Sequence, residues 1–299
     1  MGEDSSPERI QGVSKLEHLS KLTEYKNSTI LSKMRKQEGK PHAVCTDVDG
    51  TWIRRIELSE SERQSLSPDQ LNLRKQEIDS LNDVYLDSTK RNKQFLDDKN
   101  VPTVAMTGRD HQDLLDLREK LGTIADFDIL VGSQGGEIFV RQQDGTYLQD
   151  EKHRKLVEQF DRKKVHSVLK QFMADFSQKL SFMARDTDEN IALYERDPEA
   201  KQHGLTTAES PLPYKVLCNF VGNQQEAESL KSNLEKTLVS KDVSPFSVVI
   251  VGSGGRMDLW DVEIVPMDKL GATQYLVEET GMDAVVVGDG GNDLDMVRY

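Results

Sequence analysis

Apolar residues follow two rhythms along this chain. Short continuous runs stand at HAVCTD (42–47), around Val101 and Val104–Met106, in FDILVGS (127–133) and at Val285–Val287. Runs of that length, apolar on both sides and bounded by turn signals, read as strands covered on both faces of a parallel sheet. Between them, 87–100, HQDLLDLREKLG (111–122) and DKLGATQYLVEET (268–280) read as helices. Strand, helix, strand in that order calls for right-handed crossovers and an open α/β sheet.

The rhythm changes between about 140 and 262. Helical stretches at roughly 152–180 and 224–238 alternate with strands at about 191–195, 215–221 and 246–252. Ala227, Leu230, Leu234 and Leu238 recur at helical spacing and mark a core-facing stripe. Polar alternation in YKVLCNF suits a mixed or antiparallel sheet with one open face. The expected organisation is therefore a parallel-sheet domain from 41–140 and 263–299, with a separate α+β module at 141–262. Residues 1–40, rich in Ser, Glu, Lys and Gln, read as a mobile or weakly helical tail. The charged stretch 54–86, with one proline, reads as a surface insertion or irregular helices.

At 299 residues, the chain has room for two ordinary domains or one carrying a large insertion. No apolar run reaches bilayer length, and the first thirty residues lack the apolar core of a signal peptide, so a soluble, cytoplasmic protein is expected. Cys45 and Cys218 lie inside apolar runs without metal spacing, which fits reduced, structural thiols. A net charge of −13 argues against nucleic acid or an anionic membrane as partner. It leaves room for an anionic small substrate, because a local cation inverts the field of one pocket.

The chemistry collects at strand ends. In DVDGT, Asp47 and Asp49 follow the first strand directly. Two carboxylates so close repel unless a cation sits between them, and a hard divalent ion answers that need. Asp-Gly alone is equally a turn signal. GDGGND (288–293) echoes the first motif, with Asp289 at the end of the last strand. Ligands of open parallel sheets gather beyond the strands' carboxyl ends, so Asp47, Asp49 and Asp289 are candidates to meet around one magnesium ion. Asn292 and Asp293 are placed to fix the ion's water shell or a lysine. Thr107 and Gly108 end the second strand, where a hydroxyl and backbone N–H groups suit phosphate oxygens; Arg109 after them also fits a surface salt bridge. Lys269 opens the helix before the last strand, a poor place for a cation unless an anion, such as Asp293 or a substrate, lies against it.

DVDGT, TGR (107–109), Lys269 and GDGGND, in this order, resemble the haloacid dehalogenase superfamily of phosphatases. The resemblance implies a Rossmann-like core and a large α+β cap between the second and third motifs. It implies that Asp47 is the nucleophile and Asp49 the general acid and base. It further implies that Thr107, Gly108, Lys269 and Asn292 hold the phosphoryl group, and that Mg2+ is held by Asp47, Asp49, Asp289 and Asp293. Within the superfamily, LWDVEIVP and GDGGNDLDM are similar to the sucrose-phosphate phosphatase group, which implies a phosphorylated sugar as substrate, sucrose 6-phosphate or a similar disaccharide phosphate. Another sugar phosphate such as trehalose phosphate, or a non-catalytic sugar-phosphate-binding domain of a larger protein, remains open at this point. Three departures stand out: Trp52 replaces a small aliphatic residue after DGT, Leu270 rather than glycine follows Lys269, and 54–86 is long for the group. The chain ends ten residues after Asp289, where family cores usually continue, so either a truncated core or a fold that compensates elsewhere is expected.

Overall fold

A computed structural model describes residues 42–53, 56–58, 60–175, 179–196, 212–252, 258–288 and 293. The N-terminal tail expected at 1–40, and Asp289 and Asn292, lie outside the described residues. Two sheets carry the fold. The first contains β1 (His42–Asp47), β2 (Thr103–Met106), β3 (Ile129–Gly132), β4 (Glu137–Arg141), β5 (Tyr147–Gln149) and β10 (Asp283–Val287), in the order β10-β1-β2-β3-β4-β5. Strands β10, β1, β2 and β3 are parallel; β4 and β5 return antiparallel as a hairpin. The strand order reverses at β1, which lies between β10 and β2, so its carboxyl end is a topological switch point.

Alternate strand residues serve opposite faces. Ala43, Cys45, Val104, Met106, Ile129 and Val131 pack beneath the helix Lys269–Thr280, while Ala105, Leu130 and Phe127 join Leu114 and Trp52 on the other side. Burial on both faces is what the continuous apolar runs require. Trp52, after DGT, fills this second cluster: its ring lies 5.5 Å from that of Phe127, and its Nε1 donates to the Ile124 carbonyl at 2.9 Å.

The second sheet has the order β6-β7-β9-β8, from Leu180–Phe182, Val216–Val221, Leu259–Val265 and Ser247–Gly252, all antiparallel. Helices Arg162–Asp175 and Gln224–Ser240 cover one face, and Ala227, Leu230, Leu234 and Leu238 are the buried stripe of the latter. Asn223 caps that helix in a reciprocal capping box with Glu226.

Several sequence expectations change. Residues 191–195 are not a strand: they lie in a helix, Asp188–Arg196, entered through Thr187, whose carbonyl accepts from Ile191 N at 3.0 Å. A short apolar run does not distinguish the two states. The single helix expected at 152–180 is two, Glu151–Val157 and Arg162–Asp175, followed by β6. The insert also has other limits. β5 pairs with β4, and Tyr275 donates to Asp150 at 2.5 Å, so residues 141–157 extend the first sheet's unit rather than the insert. Residues 263–265 end β9 and belong to the second sheet. Finally, much of 54–86 is regular: one helix runs from Pro68 to Asp98, capped by Ser67 with Gln70 returning the bond to the Ser67 N–H. The string SPDQ, cap then proline at the first helical position, was the available signal.

Candidate active site

Register brings the motif residues together. Asp47 stands opposite Met106 and Thr46 opposite Val287, so Asp47, Thr107 and Gly288 leave the sheet side by side. The turn after β1 is closed by Trp52 N donating to Asp47 O at 3.2 Å and Ile53 N to Val48 O at 2.8 Å, with Gly50 at φ 87°, a left-handed conformation that favours glycine. Gly288 lies so close to Asp293 that a side chain there has no room.

Asp47 is 7% exposed. Its Oδ1 accepts from Lys269 Nζ at 2.5 Å, and the same ammonium donates to Asp293 Oδ1 at 2.6 Å. Lys269 is the first residue of its helix, with Asp268 as cap accepting from Gly271 N at 2.9 Å. Two carboxylates thus compensate a cation at the positive end of a helix dipole. The glycine falls two residues after the lysine and still serves the cap.

Burial pushes the Asp47 carboxyl up to about 6; Lys269 opposes this, and the charges of Asp293 and Asp49 reinforce it. Even with an ammonium in contact, the pocket is short of positive charge. That deficit, and a donor set of hard carboxylate oxygens, fit a magnesium ion. Of its expected ligands, Asp47, Asp49 and Asp293 are among the described residues. Among the described residues no three acidic, histidine or cysteine side chains cluster closely enough to form a metal site by themselves, and Asp289, expected as a ligand, is not among them.

Asp49 is placed differently from Asp47. It is exposed, and both its oxygens are taken by Arg109, from Nε and Nη2, at 2.8 Å each. Arg109 makes the exposed salt bridge its position suggested, and its partner Asp49 means that the bridge joins the first two motifs. Thr107 is buried, and its Oγ1 accepts from Arg109 N at 3.1 Å, which leaves the hydroxyl proton to donate.

A second group surrounds the Thr107–Arg109 turn. Gln134 N donates to Thr107 O at 2.9 Å and Ser133 N to Arg109 O at 2.7 Å, from residues at φ 62° and 50°. From the second sheet's module, buried Lys215 donates to Gly108 O at 3.0 Å and pairs with Glu263 at 2.9 Å. Gly108 has little freedom, since a Cβ there would lie 2.8 Å from Gln134 Nε2. Sequence reading passed over these residues; a lone lysine ahead of an apolar strand carries no motif, and only SQGG (133–136) hinted at an unusual turn.

The family model for haloacid dehalogenase-like hydrolases matches residues 78–299, well over half of the chain. The chain belongs to that family. Among solved structures, sucrose-phosphatase from Synechocystis sp. PCC6803, in complex with sucrose and phosphate, is similar at 18% identity and a TM-score of 0.52, covering 87% of this chain and 80% of that one. A haloacid dehalogenase-like hydrolase protein from Bacillus subtilis is similar at 19% identity and TM-score 0.45, over 95% and 85%. A haloacid dehalogenase-like hydrolase from Bacteroides thetaiotaomicron is similar at 17% and 0.44, over 87% and 85%. No curated protein matches the sequence. The likeness to sucrose-phosphatase is one of fold, a haloacid dehalogenase-type Rossmann-like core with an inserted α+β module. Among the described residues no helix is long and apolar enough to cross a membrane.

Proposed function

We propose that this haloacid dehalogenase-like hydrolase is a magnesium-dependent phosphatase of a small phosphorylated sugar, with sucrose 6-phosphate or a similar disaccharide phosphate as the substrate to test first. The observation that carries the reading is the Asp47–Lys269–Asp293 chain at the carboxyl end of β1. The family match supports hydrolysis, and the likeness to a sucrose-phosphatase bound to sucrose and phosphate supports the choice of sugar.

Lys269 fixes Oδ1 of Asp47, and Oδ2 is the oxygen left to attack phosphorus. A carboxylate held near 6 is ionised at neutral pH yet more basic than an ordinary aspartate, which suits a nucleophile. Attack forms an acyl phosphate on Asp47 and breaks the bond to the sugar oxygen. Asp49 gives that oxygen a proton, then takes one from the water that hydrolyses the acyl phosphate. Thr107 and the backbone at Gly108 hold the phosphoryl oxygens, with Asn292 as a further expected contact. Asp47, Asp49 through its backbone carbonyl, Asp289 and Asp293 would hold magnesium, which would supply charge neutralisation at the phosphoryl oxygens. The Arg109 clasp must release the Asp49 carboxylate before it transfers a proton; the Asp49 backbone carbonyl, its expected contact to the ion, is untouched by the clasp.

That clasp also favours a second reading, a sugar-phosphate-binding domain without turnover, in which Asp49 stays engaged. Phosphate release from a panel of sugar phosphates, with magnesium and with EDTA, separates the two. Magnesium-dependent release preferring one disaccharide phosphate supports the phosphatase. Binding of the same compounds without release, by folded protein, supports the second reading.

A further inference from the structure

We propose that the helix Pro68–Asp98 is the interface of a two-fold homodimer, in which two copies of this helix pack antiparallel about Val84. One side of the helix already has its partners. Ile78 is buried, Leu96 packs on the Trp52 cluster, Thr89 Oγ1 donates to Trp52 O at 2.9 Å, and Asn82 bonds both ways with Ile56. About a third of a turn away runs a second apolar stripe facing solvent. Leu73 is 60% exposed, Leu81 42%, Val84 58% and Phe95 60%.

These positions belong to one seam. Leu73, Glu77, Leu81, Val84, Ser88, Arg91 and Phe95 follow one another at steps of three and four residues. At about 100° per residue they fall within roughly 80° of the circumference, and at 1.5 Å per residue they span about 33 Å. Steps of three and four are those of a helix packed along a helix.

The seam's order identifies its partner. Reversed about Val84, it sets Leu73 against Phe95, Glu77 against Arg91, Leu81 level with Asp87 and next to Ser88 of the seam, and Val84 against itself. Glu77 and Arg91 are both exposed; Glu77 already accepts from Arg74 Nη1 at 3.1 Å on its own helix, and this register adds Arg91 of the other copy as a second cation beside it, twice per dimer. A parallel two-fold pairing would face Glu77 with Glu77 and Arg91 with Arg91, which like-charge repulsion opposes. An isologous interface must be complementary to itself, and this stripe is. Four large apolar side chains per copy are few for a permanent dimer, so association in the micromolar range is expected.

The test uses the full chain. Sedimentation equilibrium across about 1–200 μM should show monomer and dimer in exchange. Glu77→Arg, at an exposed position, should weaken the dimer at least tenfold, as should Arg91→Glu, and the double variant should restore it. Val84→Cys, on the two-fold axis, should form an intermolecular disulfide on mild oxidation with diamide, while Asp83→Cys, off the stripe, should not; Cys45 and Cys218 are buried and stay silent. A monomer at every concentration overturns the proposal, including the case where another segment of the same chain shields residue 84 from thiol reagents. A dimer indifferent to Glu77→Arg, or one that the double variant fails to restore, also overturns it, by placing the contact elsewhere.

Discussion

Asp47→Asn should make the protein more stable at alkaline pH and leave stability unchanged in acid. The Asp47 carboxyl is buried and held at about 6, against 3.8 for the free side chain. The folded state therefore binds its proton more tightly than the unfolded state. Ionised Asp47 costs the folded state stability above pH 6; the cost shrinks as pH falls and is gone below about 3.8. At 1.36 kcal/mol per pH unit, the gap between 3.8 and about 6 is worth about 3 kcal/mol. Asparagine keeps the shape without the charge, and Lys269 retains Asp293. Urea unfolding of both proteins in EDTA, from pH 4 to 8, should show the variant gaining up to about 3 kcal/mol at pH 8, shrinking to about 0.5 kcal/mol at pH 4. A variant equal to or weaker than wild type at pH 8, or a difference that ignores pH, would refute the placement of this carboxylate as a strained buried charge. Stability sacrificed at Asp47 fits the role of nucleophile proposed for it.

Other outcomes follow from the same structure. Burial holds the fully buried His153 down to about 4, with Asp150 opposing weakly, so its neutral form stabilises the fold above pH 6.5 and about 3 kcal/mol is lost as pH falls from 6.5 to 4; His153→Phe should flatten that acid limb in the same urea series. Trp52→Ala should cost about 3–5 kcal/mol, read by chemical denaturation, because it empties a core site and strands the Ile124 carbonyl. Lys215→Met should cost about 3–5 kcal/mol by leaving Glu263 buried without its cation, and it should raise hydrogen exchange in the Thr107–Arg109 turn. Arg109→Ala, which removes an exposed pair, should change stability by less than about 1 kcal/mol in the same denaturation assay.

Much of the first sheet was legible because its strands are buried on both faces, so Ala43–Cys45 and Val104–Met106 announce themselves without context. The helix from Lys269 was legible for the same reason: its apolar residues leave it little choice. What stayed hidden depended on pairing between distant segments. β9, LWDVEIV, sits at the centre of the second sheet between β7 and β8, yet its Asp261 and Glu263 break the apolar run. β4 alternates in burial, but EIFVR is apolar at three successive positions and β5 has only three residues, so the sequence does not show that alternation. Helix 68–98 is mostly solvated, and its charge masked a regular element whose cap was readable at Ser67. At the site, Asp47, Lys269 and Asp293 meet across 222 and 24 residues of chain, a convergence that the strand-end rule anticipates. The Arg109–Asp49 clasp and the Lys215 contact were not legible, since single charged residues carry no periodicity and only the fold selects their partners.

The proposed reaction depends on the phosphoryl group passing through Asp47. The measurement is rapid acid quenching of the protein during turnover of whichever sugar phosphate it hydrolyses with magnesium, followed by peptide mapping. A phosphoryl adduct should appear on the peptide carrying Asp47 and be absent from Asp47→Asn, along with phosphate release. Turnover that continues in Asp47→Asn, or an adduct on another residue, would contradict it.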